Sequence, residues 1–238
     1  MIKVISAPDR HHASHGWLDS YFLFSFSDYY DMNNVQWGPL RVFNDDYIKA
    51  NSGFPEHSHS EMEIVTIVLE GEVTHKDSLG NNTVIRAGEV QRMTTGTGVS
   101  HSEHNYSDKE LHLYQLWFIP NKKGLAPSYE QKAIDFTDHK NELVPLVTGQ
   151  KVLEDVLYIN SNSTIYYSNL KEGNEIDFKT FPIRKGLLYV TTGELFVNGI
   201  QVQKNDQVRS ADIDALRIKA SADSTFILID LPGVEANY

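Results

Sequence analysis

Two short motifs place metal-ligating side chains at alternate positions. The first reads Glu56-His57-Ser58-His59, with Glu63 four residues further on; the second reads His101-Ser102-Glu103. In an extended strand, side chains at i and i+2 leave the same face. His57 and His59 therefore project together, as do His101 and Glu103. If the two strands are neighbours in one barrel, three imidazoles and one carboxylate converge on an interior point. That donor set suits one divalent first-row transition metal and leaves coordination positions open. Imidazole and carboxylate accept iron, manganese, cobalt, nickel, copper and zinc, so the donors alone do not choose among them. A single His-x-His also fits two exposed histidines beside a turn; the pair of pairs is what points to a metal.

The other histidines read differently. His11, His12 and His15 precede the barrel and fit surface or interdomain packing. His104 follows Glu103 directly, so alternation turns it away from the metal. His112 sits on the strand face opposite Leu111, Leu113 and Trp117 and reads as a hydrogen-bonded strand histidine. His75 falls in a hairpin and reads as structural or exposed. Asn44-Asp45-Asp46 looks like a cation site, but the same residues commonly cap a turn, which is the reading preferred here.

The elements that must hold these residues are mostly strands. Met62–Leu69, Leu111–Ile119, Leu187–Thr191 and Thr225–Ile229 are β-branched, aromatic or aliphatic runs of strand length. Between the runs lie Gly80-Asn81-Asn82, Gly96-Thr97-Gly98, Glu172-Gly173-Asn174 and Asn198-Gly199, all turn formers. The best helical potential is in Ser128–Val147, punctuated by Pro127 and Pro145, and reads as a connector. The chain has 238 residues and no cysteine, which excludes disulfide scaffolds, thiolate metal sites and cysteine nucleophiles. Its net charge of −11 disfavours direct contact with a nucleic-acid backbone. The apolar run at the start stops at Pro8, unlike a secretory signal, and no stretch approaches the ~20 apolar residues of a spanning helix. A cytoplasmic protein without membrane contact is expected.

A repeat divides the chain. Setting VTIVLEGEVTHKDSLGNNTVIRAGEVQRM beside LLYVTTGELFVNGIQVQKNDQVRS puts Gly71-Glu72 on Gly193-Glu194 and Gly88-Glu89 on Asp206-Gln207. The second copy has the shorter hairpin, at Asn198-Gly199, a type I′ signature. By the first offset, His57 falls on Lys179, His59 on Phe181 and Glu63 on Lys185. No histidine follows His139. The second half therefore cannot rebuild the site, and one metal per chain is expected.

GFPEHSHSEMEIVTIVLEG and AGEVQRMTTGTGVSHSE resemble the two metal motifs of the cupin superfamily in the form found in pirins. RHHASHGWLDSYFLFSF, LRVFNDD, THKDSLG, LHLYQLWFIP and PSYEQ are similar to bacterial pirin-like proteins of the quercetin 2,3-dioxygenase type. The resemblance is close over about the first 135 residues and looser beyond. It implies an all-β bicupin, two antiparallel β-barrels of double-stranded β-helix (jelly-roll) type. Residues 1–125 would form the metal-binding barrel, 126–150 the partly helical connector and 151–238 a barrel without metal. Carried onto this chain, the pirin pattern assigns His57, His59, His101 and Glu103 as ligands, with Fe2+ the expected ion. The general cupin pattern would instead use Glu63, which the pirin form leaves free to orient a histidine.

The activity implied is dioxygen-dependent cleavage of a flavonol such as quercetin with release of carbon monoxide, Glu103 doubling as general base. Tyr114 and Gln115 are expected beside the pocket, with Phe43, Phe54 and Met93 as apolar walls for a flat substrate. A rival reading is a metal-binding regulatory module acting through a protein partner, as pirins elsewhere are described as transcriptional co-regulators. Sugar isomerases share the fold, but no basic cluster suited to a sugar phosphate is present, and fold alone does not decide function.

Overall fold

The computed structural model describes residues 1–134, 139–150 and 156–233. Among the described residues twenty-two strands follow in order, with one short 3-10 turn at Ala7–Asp9. In the first half these are β1 (Ile2–Ile5), β2 (His11–Ser14), β3 (Leu18–Phe22), β4 (Leu40–Ile48), β5 (Ser52–His59), β6 (Glu63–Glu70), β7 (Glu72–Asp77), β8 (Asn82–Arg86), β9 (Glu89–Thr94), β10 (Val99–Asn105), β11 (Leu111–Phe118) and β12 (Ser128–Ala133). The second half contains β13 (Val144–Thr148), β14 (Leu157–Tyr158), β15 (Thr164–Leu170), β16 (Glu175–Lys179), β17 (Arg184–Thr192), β18 (Glu194–Val197), β19 (Ile200–Gln203), β20 (Gln207–Ala211), β21 (Ala215–Ala220) and β22 (Ser224–Pro232). No helix among the described residues is long and apolar enough to cross a membrane.

The chain forms two compact units. The N-terminal unit pairs a seven-stranded antiparallel sheet, ordered β12-β9-β6-β11-β4-β3-β2, with a four-stranded one, β5-β10-β7-β8. Leu18, Ile48, Val68, Leu111 and Leu113 from the larger sheet meet Val73 and Ile85 from the smaller to form a core between them. The C-terminal unit repeats the plan, with β1-β20-β17-β22-β15-β13 in one sheet and β16-β21-β18-β19 in the other. Its core joins Leu188, Val190, Phe226 and Leu228 to Leu195, Val197, Leu216 and Ile218. Both units are two-sheet jelly rolls, the bicupin architecture that the sequence implies, rather than barrels closed by hydrogen bonds.

The repeat is visible in the backbone. Gly71 and Gly193 link equivalent strands at φ values of 78° and 79°, a left-handed conformation that glycine adopts without cost. Asn198 and Gly199 both have positive φ, as a type I′ hairpin requires. One pairing moves by a residue. Gly88 N–H bonds the Val68 carbonyl and Asn205 N–H bonds the Val190 carbonyl, so Gly88 corresponds to Asn205 rather than to Asp206. Asn205 takes the same left-handed bend, φ 69° against 84° for Gly88.

Two expectations change. The described part of Ser128–Val147 holds no helix: β12 pairs with the edge of β9 and β13 with β15. A ladder satisfies these backbone groups, whereas a short segment flanked by Pro127 and Pro145 would be a marginal helix in isolation. The unit boundaries also differ from 125 and 150. Met1–Arg10 belongs with the C-terminal unit because β1 extends the ladder of β20, and Leu157–Ser161 belongs with the N-terminal unit.

Candidate metal centre

Strands β5 and β10 lie side by side and antiparallel, with His57 directly opposite His101 and a bulge between His101 and Glu103. Alternation sends His57 and His59 to one side, while Ser58 between them bonds Ser100 through its hydroxyl at 2.7 Å. Along β10 the odd positions are buried, with His101 and Glu103 each 2% exposed. The result is a cluster in which His57, His59 and His101 each present a ring nitrogen within 4.8 Å of the others. Glu103 does not fall within that spacing of all three. It groups instead with His101 and His75, again within 4.8 Å. His101 is thus common to both groups.

Gly53 makes the strand pairing possible. A Cβ built there would collide with the Glu103 carbonyl oxygen and the His104 backbone, so only glycine lets β5 close against β10 at this point.

Burial keeps the His59 and His101 imidazoles neutral. Burial lowers His59 to about 4, with repulsion from His101 and His57 adding to the effect. Burial likewise lowers His101 to about 3, reinforced by His57 and His75. Neutral rings offer lone pairs to a cation. The Nδ1 atom of His57 lies 2.8 Å from the Pro55 carbonyl oxygen, which can only accept. Nδ1 therefore carries the proton and Nε2 is left as the donor atom. Both ring nitrogens of His101 and the Oε1 atom of Glu103 are buried with no hydrogen-bond partner. Buried polar atoms without partners are costly, and a cation is the species that would satisfy this set. The residues present therefore fit a divalent metal.

The cluster opens into a cavity of about 380 Å³ in the N-terminal unit. Its walls are aromatic. Trp17 meets Phe54 edge to face at 5.0 Å, Phe22 meets Phe26 at 5.2 Å, and Phe26 meets Trp117 at 5.4 Å. Trp117 also packs on His59 at 4.7 Å. Such a slot favours a flat aromatic ligand. Gln115 reaches into it as expected and donates to Glu103 Oε2 at 2.8 Å.

Several sequence expectations need adjustment. Tyr114 faces away from the cavity and packs on Phe43, and Met93 lies in a core with Ile64 and Val99; of the three expected walls only Phe54 lines the cavity. His15 also lines it, whereas His11 stacks on Tyr29 and His12 bonds Asp19. Of the two readings of His75, structural and exposed, the structural one holds: it is fully buried, bonds Asp77 at 3.0 Å, and has its ring 5.2 Å from that of His101. Glu63 bonds Thr94 at 3.0 Å and Asn160 at 3.3 Å rather than a histidine, and burial raises its carboxyl. His104 stacks on Tyr106, and His112 bonds Asp45 at 2.7 Å, both as expected.

Asn44-Asp45-Asp46 forms no turn; it lies inside β4. Asn44 and Asp46 line the cavity while Asp45 turns outward to His112. An alternating strand with polar residues on its inward side hides its own periodicity, which is why the sequence reads as a cap.

In the second half, Lys179 is an exposed partner of Asp177 and Phe181 is 67% exposed.

Comparison with known proteins gives a consistent picture. Residues 6–118 match the family model "Pirin" and residues 146–231 match "Quercetinase C-terminal cupin domain". A protein of Escherichia coli (strain K12) named quercetin 2,3-dioxygenase is 40% identical, covering 98% of this chain and all of that protein. A pirin-like protein of Caulobacter vibrioides is 38% identical, over 92% of this chain and 94% of that protein. The crystal structure of an Escherichia coli bacterial pirin in complex with nickel(II) superposes with a TM-score of 0.93 at 38% identity, over 98% of this chain and all of that one. A quercetin 2,3-dioxygenase structure from Acinetobacter baumannii, 19% identical, shares the fold with a TM-score of 0.76 over 97% of this chain and 79% of that one.

Proposed function

This chain belongs to the pirin family, and from that premise we propose that it is a metal-dependent dioxygenase that cleaves flavonols such as quercetin. One observation carries the reading: His57, His59 and Glu103, which cluster with the unpartnered His101, line a cavity walled by aromatic rings. The names borne by its full-length relatives supply the substrate class.

In this proposal His57, His59, His101 and Glu103 hold one Fe2+. Such a cation, when bound, supplies a Lewis acid that acidifies a coordinated hydroxyl, and a template for the two reactants. The rest falls to the chain. Trp17, Phe54, Phe26 and Trp117 hold the flavonol flat and exclude water. His57, His59 and His101 are the fixed donors. Glu103 is the movable one, because a single oxygen is tied to Gln115 while Oε1 is free. It takes the proton of the flavonol's 3-hydroxyl. Dioxygen is consumed, the heterocycle opens, one ring carbon leaves as carbon monoxide, and the remainder leaves as an ester. A cytoplasmic location is part of the same proposal.

The test is oxygen uptake by anaerobically Fe(II)-loaded protein on adding quercetin, with His101→Ala alongside. Uptake coupled to loss of the flavonol's visible absorbance, absent in the variant, is expected. No uptake despite one bound metal per chain would overturn the dioxygenase reading and favour a metal-bearing module with a protein partner.

A further inference from the structure

The cavity has a second polar region beside the metal donors. It arises on β4, β3 and β11, where inward positions that normally carry apolar side chains carry Asn44, Asp46, Ser20 and Gln115 instead. Asn44 lies opposite Gln115 in one ladder, and Asp46 lies opposite Ser20 in the other. All four line the cavity together with Glu103.

The burial of these groups is hard to explain by stability. Asn44 is 3% exposed, and its Oδ1 has no hydrogen-bond partner. Asp46 is 2% exposed, and its Oδ1 receives the Ser20 hydroxyl, leaving Oδ2 for a ligand. Burial raises its carboxyl to about 7, with Asp45 and Glu103 adding to the effect. A buried carboxyl and an unsatisfied amide oxygen on a cavity wall cost stability, typically about 1–3 kcal/mol for an unmet polar group. Groups of this kind are satisfied when a ligand brings its own donors.

We propose that Asn44 and Asp46 form a hydroxyl-binding subsite that anchors a phenolic group of the substrate, separate from the hydroxyl presented to the metal donors. This rests on the flavonol reading above and sharpens it. The preferred substrates are polyhydroxylated flavonols, not flavonols bearing the 3-hydroxyl alone. A phenol O–H donates to Asp46 Oδ2 or Asn44 Oδ1, and the aromatic walls fix the plane of the rings. Asp46 acts by positioning.

The test is equilibrium binding to metal-loaded protein under anaerobic conditions, with quercetin and 3-hydroxyflavone as probes. The second probe lacks every hydroxyl but one. Wild type is expected to bind quercetin more tightly. Asp46→Asn should weaken quercetin about tenfold, equivalent to about 1.4 kcal/mol, with less than a twofold effect on 3-hydroxyflavone and no change in metal per chain. Asn44→Ala gives the same discrimination if Asp46→Asn fails to fold. Equal weakening of both probes, or none, overturns the subsite. Discriminating binding without oxygen uptake in air would leave the subsite standing and remove the dioxygenase reading. Uptake without discrimination would do the reverse. Failure of wild type to bind either flavonol would overturn both.

Discussion

Gln115 donates its amide Nε2 to Glu103 Oε2 across 2.8 Å, and its own Oε1 accepts the Trp117 indole N–H at 3.0 Å. An indole N–H can only donate, so the amide orientation is fixed by its neighbour. Glu103 therefore has one oxygen held and one, Oε1, without a partner. Under the proposed mechanism, Glu103→Gln should lower turnover about a hundredfold or more, the usual size of a general-base contribution. Metal occupancy should fall far less. Metal titration beside oxygen-uptake kinetics separates the two, and matched losses would make Glu103 a plain ligand.

His101 is shared by both donor groups, so its removal should do the most damage to metal binding. His101→Ala is expected to abolish stoichiometric metal by elemental analysis while the far-ultraviolet signal of a β protein persists. Its ring nitrogens make no hydrogen bond in the protein, so no ladder or cap is lost with them. Substituting Lys179 or Phe181 should leave metal content unchanged, since both are exposed in the C-terminal unit. Metal retained at full occupancy in His101→Ala, or lost on replacing Lys179, would contradict a single site on β5 and β10.

Gly53 is the backbone requirement behind the site. With a Cβ meeting the Glu103 carbonyl, Gly53→Ala must push β5 from β10 beside a proposed ligand. A decrease of about 1–3 kcal/mol in stability is expected from such overpacking. Metal affinity should fall with it, because a displaced strand carries His57 and His59. Thermal melts and metal titration on the same preparation check this; unchanged values would mean that the strands separate there without cost.

The alternating histidines were legible because period-two spacing is independent of what the strand packs against. His57, His59 and His101 come together as the spacing predicts. What escaped depends on facts that local sequence does not carry. Asn44 and Asp46 look like turn formers because their polarity is that of a loop, yet β4 is held on both sides by β3 and β11. His75 reads as structural or exposed because hairpins usually are open; here the hairpin is covered, Tyr129 from β12 packs on the ring at 4.9 Å, and the structural alternative holds. The described part of Ser128–Val147 forms strands rather than a helix for the same reason, since the free edge of β9 is invisible in the segment itself.

Asp46 gives a pH-dependent stability difference with a definite sign. Its folded carboxyl is raised to about 7, against an ordinary value of 3.8. Below that ordinary value both folded and unfolded chains hold the proton, and Asp46 contributes no pH dependence. Between the two values the unfolded chain has released it while the folded chain has not, so raising the pH favours unfolding. Above about 7 the loss is complete, on the order of a few kcal/mol at about 1.4 per pH unit. Asp46→Asn has no such titration. Its melting temperature relative to wild type should therefore rise from pH 4 to pH 7 and level off above. His59 and His101, which lose stability in the opposite direction as the pH falls, are present in both proteins and largely cancel in the difference. Thermal melts of the two metal-free proteins at pH 5 and pH 8 make the measurement. A difference that does not change with pH would show that Asp46 is ionised throughout and that the wall it shares with Asn44 and Ser20 is better solvated than its burial implies.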